Sequence, residues 1–251
     1  MSKGAILITG AAKRIGRQLA VDLAAAGYDI AVHFNKSATD AEDVAASIRA
    51  MGRRAVLVQA DLANADAAES LISSCFLQMG GLSALINNAS IYEFDQIGEI
   101  GAESWQRHMD INLRAPVLLA QAFAAQLPQG AKGNIVNLID GRVWKLNPLY
   151  FSYMVSKSAL WTATRTLAQA LAPNIRVNAI GPGPVLPPKG MSTEEHTRDE
   201  ANTLLRHGVS PAEISAAVSF ILSQSGLTGQ MIALDSGQHL LWNTREMGEV
   251  I

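Results

Sequence analysis

The sequence predicts an α/β protein: a single domain on a doubly wound parallel sheet of about seven strands, with helices on both faces. Three observations carry this. Short β-rich runs alternate with longer segments of helical period, which is the pattern of βαβ units. Glycines such as Gly27 and Gly52 stand where helices should stop. No stretch reads as a linker, a short-period repeat or a low-complexity tract, so residues 1–251 are taken as one folding unit.

The elements follow in order. Ala5 to Thr9 is the first strand, and Arg14 to Ala25 a helix that packs through Leu19, Leu23 and its alanines. The strand Asp29 to Phe34 leads to a helix over Ala41 to Met51 and the strand Ala55 to Gln59. Helix Ala65 to Met79, strand Ala84 to Asn87, a long helix Glu103 to Gln126 and strand Asn134 to Ile139 come next. Helix Tyr150 to Leu171, strand Arg176 to Ile180, helix Pro211 to Ser223 and strand Met231 to Asp235 complete the chain. Between them, Gly181 to Ser210 opens with Gly-Pro-Gly-Pro and Pro187-Pro188, which forbid a continuous helix, and continues with polar residues. It suits either a substrate flap over about 184–210 or an ordinary surface insertion.

Composition narrows the function. Apolar residues make up 49% and charged residues 17%, enough for a sizeable core. A formal net charge of -2 without a basic block gives no footprint for nucleic acid or an anionic membrane. No apolar run reaches the roughly 18 residues that span a bilayer, and Met1 to Gly10 lacks the features of a signal peptide. The lone Cys75 lies in an apolar-periodic run and reads as a buried, inert thiol. A cytoplasmic protein with a small-molecule partner, and without nucleic acid, membrane or metal, is expected.

The first strand runs through Gly10, Arg14, Ile15 and Gly16 into a helix. Backbone N–H groups and the helix N-terminus favour an anion there, so the turn suits a dinucleotide pyrophosphate, although a plain tight turn has the same glycines. The second strand ends at His33-Phe34-Asn35-Lys36-Ser37, without the acid that would bind a ribose 2'-hydroxyl. Lys36, Ser37 and Arg14 instead suit a 2'-phosphate, so NADPH is preferred over NADH; Lys36 is otherwise a solvated loop lysine. Asp61, followed by Leu62, suits a hydrogen bond from adenine or a cap near Asn64. Tyr153 and Lys157, four apart on a helix, share a face, and a nearby cation should lower the phenol pKa towards the range useful for proton transfer.

Taken together, Thr9-Gly10 to Gly16, Asp61, Asn87-Asn88-Ala89, Asn112, Tyr153 with Lys157, and Pro182-Gly183 resemble the short-chain dehydrogenase/reductase family over nearly the whole chain, in family order. The resemblance implies a Rossmann fold in which Lys157 binds the nicotinamide ribose and assists Tyr153. It implies that Asn112 holds a relay water, that Asn88 and Ala89 border the adenosine side, and that Pro182-Gly183 pass beside the nicotinamide. It also suggests a homotetramer through the long helices and last strand, with each chain's end near another subunit's site.

Two departures refine the resemblance. Arg14 replaces the glycine usual inside the first motif, and Asp140 replaces the serine usual 13 residues before the tyrosine, since 153 - 140 = 13. With His33 to Ser37 and Asn88-Ala89-Ser90-Ile91-Tyr92, they are similar to the pteridine reductase branch. There an arginine contacts cofactor phosphate and pterin, an aspartate joins the tyrosine in proton delivery, and an aromatic stacks on the pterin. Arg14, Ser90, Tyr92, Asp140 and Tyr153 are therefore the expected substrate-binding set, and Asn112, Asp140, Tyr153 and Lys157 the catalytic one. Asp140-Gly141 is also a turn at a strand end, and Tyr92 also an ordinary core aromatic. The expected reaction is NADPH-dependent reduction of a 7,8-dihydropterin. The rivals are a carbonyl reductase for ketone or 3-oxoacyl substrates and a non-catalytic NADP(H)-binding redox sensor.

Overall fold

The computed structural model describes residues 2–188 and 190–242. Its elements, in chain order, are β1 (Ala5–Ile8), α1 (Arg14–Ala25), β2 (Asp29–Phe34), α2 (Ala38–Ala50), β3 (Ala55–Gln59), α3 (Ala67–Met79), β4 (Ala84–Asn87), α4 (Ala102–Met109), α5 (Ala115–Gln126), β5 (Gly133–Leu138), α6 (Phe151–Leu171), β6 (Ile175–Pro182), α7 (Thr193–Ala201), α8 (Pro211–Ser223) and β7 (Met231–Leu234). The strands pair in parallel in the order β3-β2-β1-β4-β5-β6-β7. The chain reverses its direction of travel across the sheet between β1 and β4, and such a switch point opens a crevice at the strands' carboxyl ends.

The period-2 alternation of the strands sorts the core into two layers. Ile6, Ile8, Ile30 and Val32 face one way and pack with Leu19 and Leu23 of α1, Val44 and Ile48 of α2, and Ile214 and Val218 of α8. Leu7, Leu85, Ile135 and Val177 face the other way, against Ile72 and Cys75 of α3, Leu119 and Phe123 of α5, and Ala168 of α6. Each such side chain removed fully from water contributes about 1.5–3 kcal/mol, which makes the sheet a rigid platform for its loops. Cys75 lies in that core with no exposure, and burial pushes its thiol up to about 12, so it is an inert core residue.

Two elements differ from the expectation. The long helix expected from Glu103 is interrupted by a π-turn at Asp110–Arg114, which widens the backbone where Asn112 sits before α5 resumes. The segment after β6 is expected to be irregular, yet it contains α7. Ser192 and Glu195 form a capping box there, each side chain satisfying the other's backbone N–H. That Ser-x-x-Glu signal is present in the sequence and is overshadowed by the proline cluster before it. The expected approach of the chain's end to another subunit concerns residues 243–251, which lie outside the described residues. No helix is long and apolar enough to cross a membrane among the described residues.

Candidate active site

The loop between β1 and α1 is held from three sides. The Asn88 side chain donates to the carbonyls of Thr9 (2.8 Å) and Gly10 (3.2 Å), while Thr9 Oγ1 accepts from the backbone N–H groups of Asn88 and Ala89 at 2.9 and 3.0 Å. From below, His33 Nδ1 accepts from the Gly10 N–H at 3.0 Å, and its Nε2 lies 3.2 Å from the Ala60 carbonyl. Burial pulls the His33 pKa down to about 4, so the ring is neutral near pH 7 and can accept the Gly10 proton. Gly16 then lies against the loop so closely that a Cβ there would stand 2.1 Å from the Gly10 carbonyl oxygen. The outcome is a shallow backbone cradle at the N-terminus of α1.

Arg14 has a φ of 54°, the left-handed region in which glycine is at ease, which gives a physical reason for the glycine usual at this place. Its guanidinium donates to the carbonyls of Pro187 (3.0 Å) and Leu186 (3.1 Å), tying the cradle to the segment after β6. Contact between Arg14 and a phosphate or substrate would have to exchange with these bonds.

On the other wall, the 3₁₀ turn Gly141–Trp144 follows β5, and Asp140 caps it by accepting from the Arg142 N–H at 2.8 Å. The turn reading of Asp140 is thus met by this cap. Asp140 Oδ2 also accepts from the Tyr153 hydroxyl at 3.0 Å and from Arg142 Nη2 at 3.0 Å. Lys157, one turn along α6, is buried and donates to the Leu138 carbonyl at 2.8 Å, with its Nζ 5.8 Å from the centre of the Tyr153 ring. Tyr92 meets Tyr153 edge to face at 4.7 Å and stacks on Tyr150 at 4.1 Å.

The electrostatics correct one expectation. Burial, and next the Asp140 carboxylate, raise the Tyr153 phenol well above its usual 10, where the lysine was expected to lower it. Burial also pulls Lys157 down to about 8, so its ammonium still prevails near pH 7 but gives up its proton more readily than a free lysine. Tyr153 is thus set to hold its proton.

These walls enclose a cavity of about 520 Å³, a size suited to a cofactor with a small substrate. Gly10, Arg14, Ile15, Gly16, Asn88, Ala89, Ser90, Tyr92, Asp140, Tyr153, Lys157, Pro182 and Gly183 all line it. Gly183 is required beside β7, because a Cβ there would lie 2.6 Å from the Asp235 Cα. The remaining candidates are not among the lining residues. His33 works beneath the loop, Asn35 and Lys36 are exposed at the end of β2 with Ser37 half-buried, Asp61 accepts from the Ala63 N–H at 3.0 Å in a local turn, and Leu62 is buried.

Asn112 is fully buried, and its side chain is taken up by protein groups. Its Oδ1 accepts from the Ile91 N–H and the Ser90 hydroxyl, and its Nδ2 donates to the Ile91 carbonyl and to Ser156 Oγ at 3.1 Å. These bonds make Asn112 a brace on the Ser90–Ile91 segment that carries Tyr92. Sequence reasoning missed Arg142, Lys13, His196 and Gln238 on the cavity wall. Arg142 had a signal, since it stands two residues after Asp140 and local turn geometry makes that a contact. His196 and Gln238 arrive from distant elements and had none.

A nucleotide-sized cavity over a glycine cradle, with a tyrosine and a lysine one turn apart on its wall, defines an oxidoreductase site, and the chain belongs to the short-chain dehydrogenase/reductase family. Residues 10–239 match the family model described as enoyl-(acyl carrier protein) reductase. An uncharacterized oxidoreductase of Methylorubrum extorquens is 34% identical, over 92% of this chain and 96% of that protein. A 3-oxoacyl-[acyl-carrier-protein] reductase of Synechocystis is 30% identical, over 92% and 95%. Among solved structures, FolM alternative dihydrofolate reductase 1 from Brucella canis, complexed with NADP, has 42% identity and a TM-score of 0.95, with 98% of each chain covered. The Brucella suis protein of that name, also with NADP, has 43% identity and a TM-score of 0.94, covering 97% of this chain and 98% of that one.

Proposed function

We propose that the protein reduces a 7,8-dihydropterin to its tetrahydro form with NADPH. The carrying observation is the Tyr153 hydroxyl held 3.0 Å from an Asp140 carboxylate that Arg142 also grips. A ketone oxygen gathers negative charge as it is reduced and needs donors around it, whereas Asp140 offers acceptors. A pterin presents N–H groups on its edge, which Asp140 would accept in exchange for one of the bonds that now fill it, and Tyr92, which now stacks on Tyr150, would give its ring an aromatic neighbour. The likeness to the Brucella FolM alternative dihydrofolate reductases supports a reduced-pterin substrate class.

The cradle fits a dinucleotide: Gly10 and Gly16 line the cavity at the helix start and a side chain at Gly16 is excluded sterically. Gly10, Ile15 and Gly16 would hold the pyrophosphate, with Arg14, Asn35, Lys36 and Ser37 at the 2'-phosphate and Asp61 and Leu62 at adenine. Asn88, Ala89 and Ser90 would flank the cofactor, Lys157 would hold the ribose, and Pro182 and Gly183 would border the nicotinamide. When bound, the cofactor supplies a hydride to the carbon of the ring C=N. Tyr153 supplies the proton to its nitrogen, giving CH–NH, and Lys157 and Arg142 offset the charge left on the phenolate. Asp140 keeps the hydroxyl aimed. The residues 184–210 act as the substrate flap, moored through Arg14. On this reading the protein is a cytoplasmic homotetramer, and light scattering would check the assembly.

The 3-oxoacyl-[acyl-carrier-protein] reductases of Synechocystis and Staphylococcus aureus, at 30% and 31% identity, favour a second reading as a ketoreductase. Purified protein with NADPH, offered several 7,8-dihydropterins, a 3-oxoacyl thioester and a simple ketone, separates the two. Tetrahydropterin formation is expected. Efficient ketone or 3-oxoacyl turnover with every dihydropterin untouched would overturn the pterin reading.

A further inference from the structure

We propose that Arg142 is a positioning residue that joins the proton-delivering pair, Asp140 and Tyr153, to the stacking residue Tyr92, so that substrate fit and proton delivery are set together. The role rests on the pterin reading above. Arg142 Nε and Nη2 reach the two Asp140 oxygens at 3.2 and 3.0 Å, a fork on a carboxylate that lysine cannot reproduce. With the Arg142 N–H on Oδ1 and the Tyr153 hydroxyl on Oδ2, each oxygen accepts two hydrogen bonds, and the carboxylate cannot turn without breaking several of them.

The same guanidinium faces Tyr92. Nη2 lies 3.4 Å from the Tyr92 hydroxyl, and the guanidinium carbon stands 5.6 Å from the ring centre, within reach of a cation–π attraction. Tyr150 packs parallel to that ring, so Tyr92 is gripped by a cation and by an aromatic plane. The turn carrying Arg142 is itself fixed, because a Cβ on Gly141 would meet the Asp235 side chain at 2.9 Å. Asp235 in turn accepts from the backbone of Gly237 and His239 and lies 2.7 Å from His239 Nδ1. Burial opposes the Arg142 charge, and the charge and hydrogen bonding of Asp140 together with Tyr92 and Tyr153 more than restore it, which keeps the guanidinium cationic.

Losing Arg142 should therefore damage two kinetic parameters through two different neighbours, while the cradle on the opposite wall is untouched. The test compares parent enzyme with Arg142→Gln, Arg142→Lys, Tyr92→Phe and the Arg142→Gln/Tyr92→Phe double variant. The readouts are kcat and KM for a 7,8-dihydropterin, and NADPH affinity by fluorescence. Arg142→Gln should lower kcat at least tenfold and raise KM several-fold, with NADPH affinity within twofold of parent. Arg142→Lys should recover part of the kcat loss, since it keeps charge but not the fork. Tyr92→Phe should raise KM, and adding Arg142→Gln to it should raise KM by less than Arg142→Gln does alone. Parent-like kcat and KM in Arg142→Gln would overturn the role, as would losses equal in Gln and Lys that merely track loss of NADPH binding. A parent enzyme that leaves dihydropterins unreduced overturns the substrate reading and this role with it, whereas active parent with an unaffected Gln variant overturns this role alone.

Discussion

The Tyr153 hydroxyl donates to Asp140 Oδ2 across 3.0 Å, with the phenol buried and its pKa raised above the usual value by that burial and by the neighbouring carboxylate. A phenol in this state is a proton reservoir, suited to reduction and poorly suited to act as the base of an alcohol oxidation.

Tyr153→Phe keeps the ring against Tyr92 and removes the proton. Turnover should fall by about 10²–10⁴-fold, with NADPH affinity little changed. Because Lys157 is pulled down to about 8 while Tyr153 is pushed up, an alkaline decline of kcat/KM in the free enzyme should centre near pH 8 and report loss of the lysine charge. A rate profile flat to pH 10 would assign the lysine no such part.

The end of β2 offers Lys36 and Ser37 where an acid would repel a 2'-phosphate. NADPH should bind at least about tenfold more tightly than NADH, about 1.4 kcal/mol, which one charge-assisted contact can supply. Lys36→Ala should weaken NADPH and leave NADH almost untouched in a titration at fixed salt. Equal affinities for the two cofactors in the parent protein would remove the claim.

Gly16→Ala places a methyl 2.1 Å from the Gly10 carbonyl oxygen and 2.6 Å from Asn88 Nδ2, both parts of a braced loop. Something must move, at a cost of about 1–3 kcal/mol for overpacking. A lower unfolding midpoint in urea and at least tenfold weaker NADPH binding are expected. Parent-like values for both would mean that the loop yields freely.

His33 has a folded pKa of about 4 against 6.5 for the free side chain, so the unfolded chain binds more protons between these values. Stability from this group is therefore present above pH 6.5 and lost as pH falls towards 4, by about 2 kcal/mol at pH 5. Protonation would also take away the acceptor for the Gly10 N–H. Urea unfolding at pH 7 and pH 5 should show this loss in the parent and a smaller one in His33→Gln; identical losses would place the acid sensitivity elsewhere.

How much was legible depended on the range of the interaction. Leu19 and Leu23 recur at helical spacing, and Ile6, Leu7 and Ile8 fill a strand bounded by turn residues, so the elements and their alternation could be read without a fold. Tyr153 and Lys157 were legible as a pair because a helix alone puts residues four apart on one face. The capping box of α7 was equally local and was outweighed by the prolines before it.

By itself, then, the sequence determined the class of sheet, the glycine cradle, the tyrosine–lysine pair and the substitution of an aspartate for the usual serine, each fixed by neighbours a few residues away. The tertiary structure alone decided that His33 lies beneath Gly10, that Asn112 braces the Tyr92 segment, and that Arg142 reaches Asp140 and Tyr92 at once. It also decided the direction of the Tyr153 shift, because desolvation depends on the packing of the whole site, whereas helical spacing reveals only that a lysine is near.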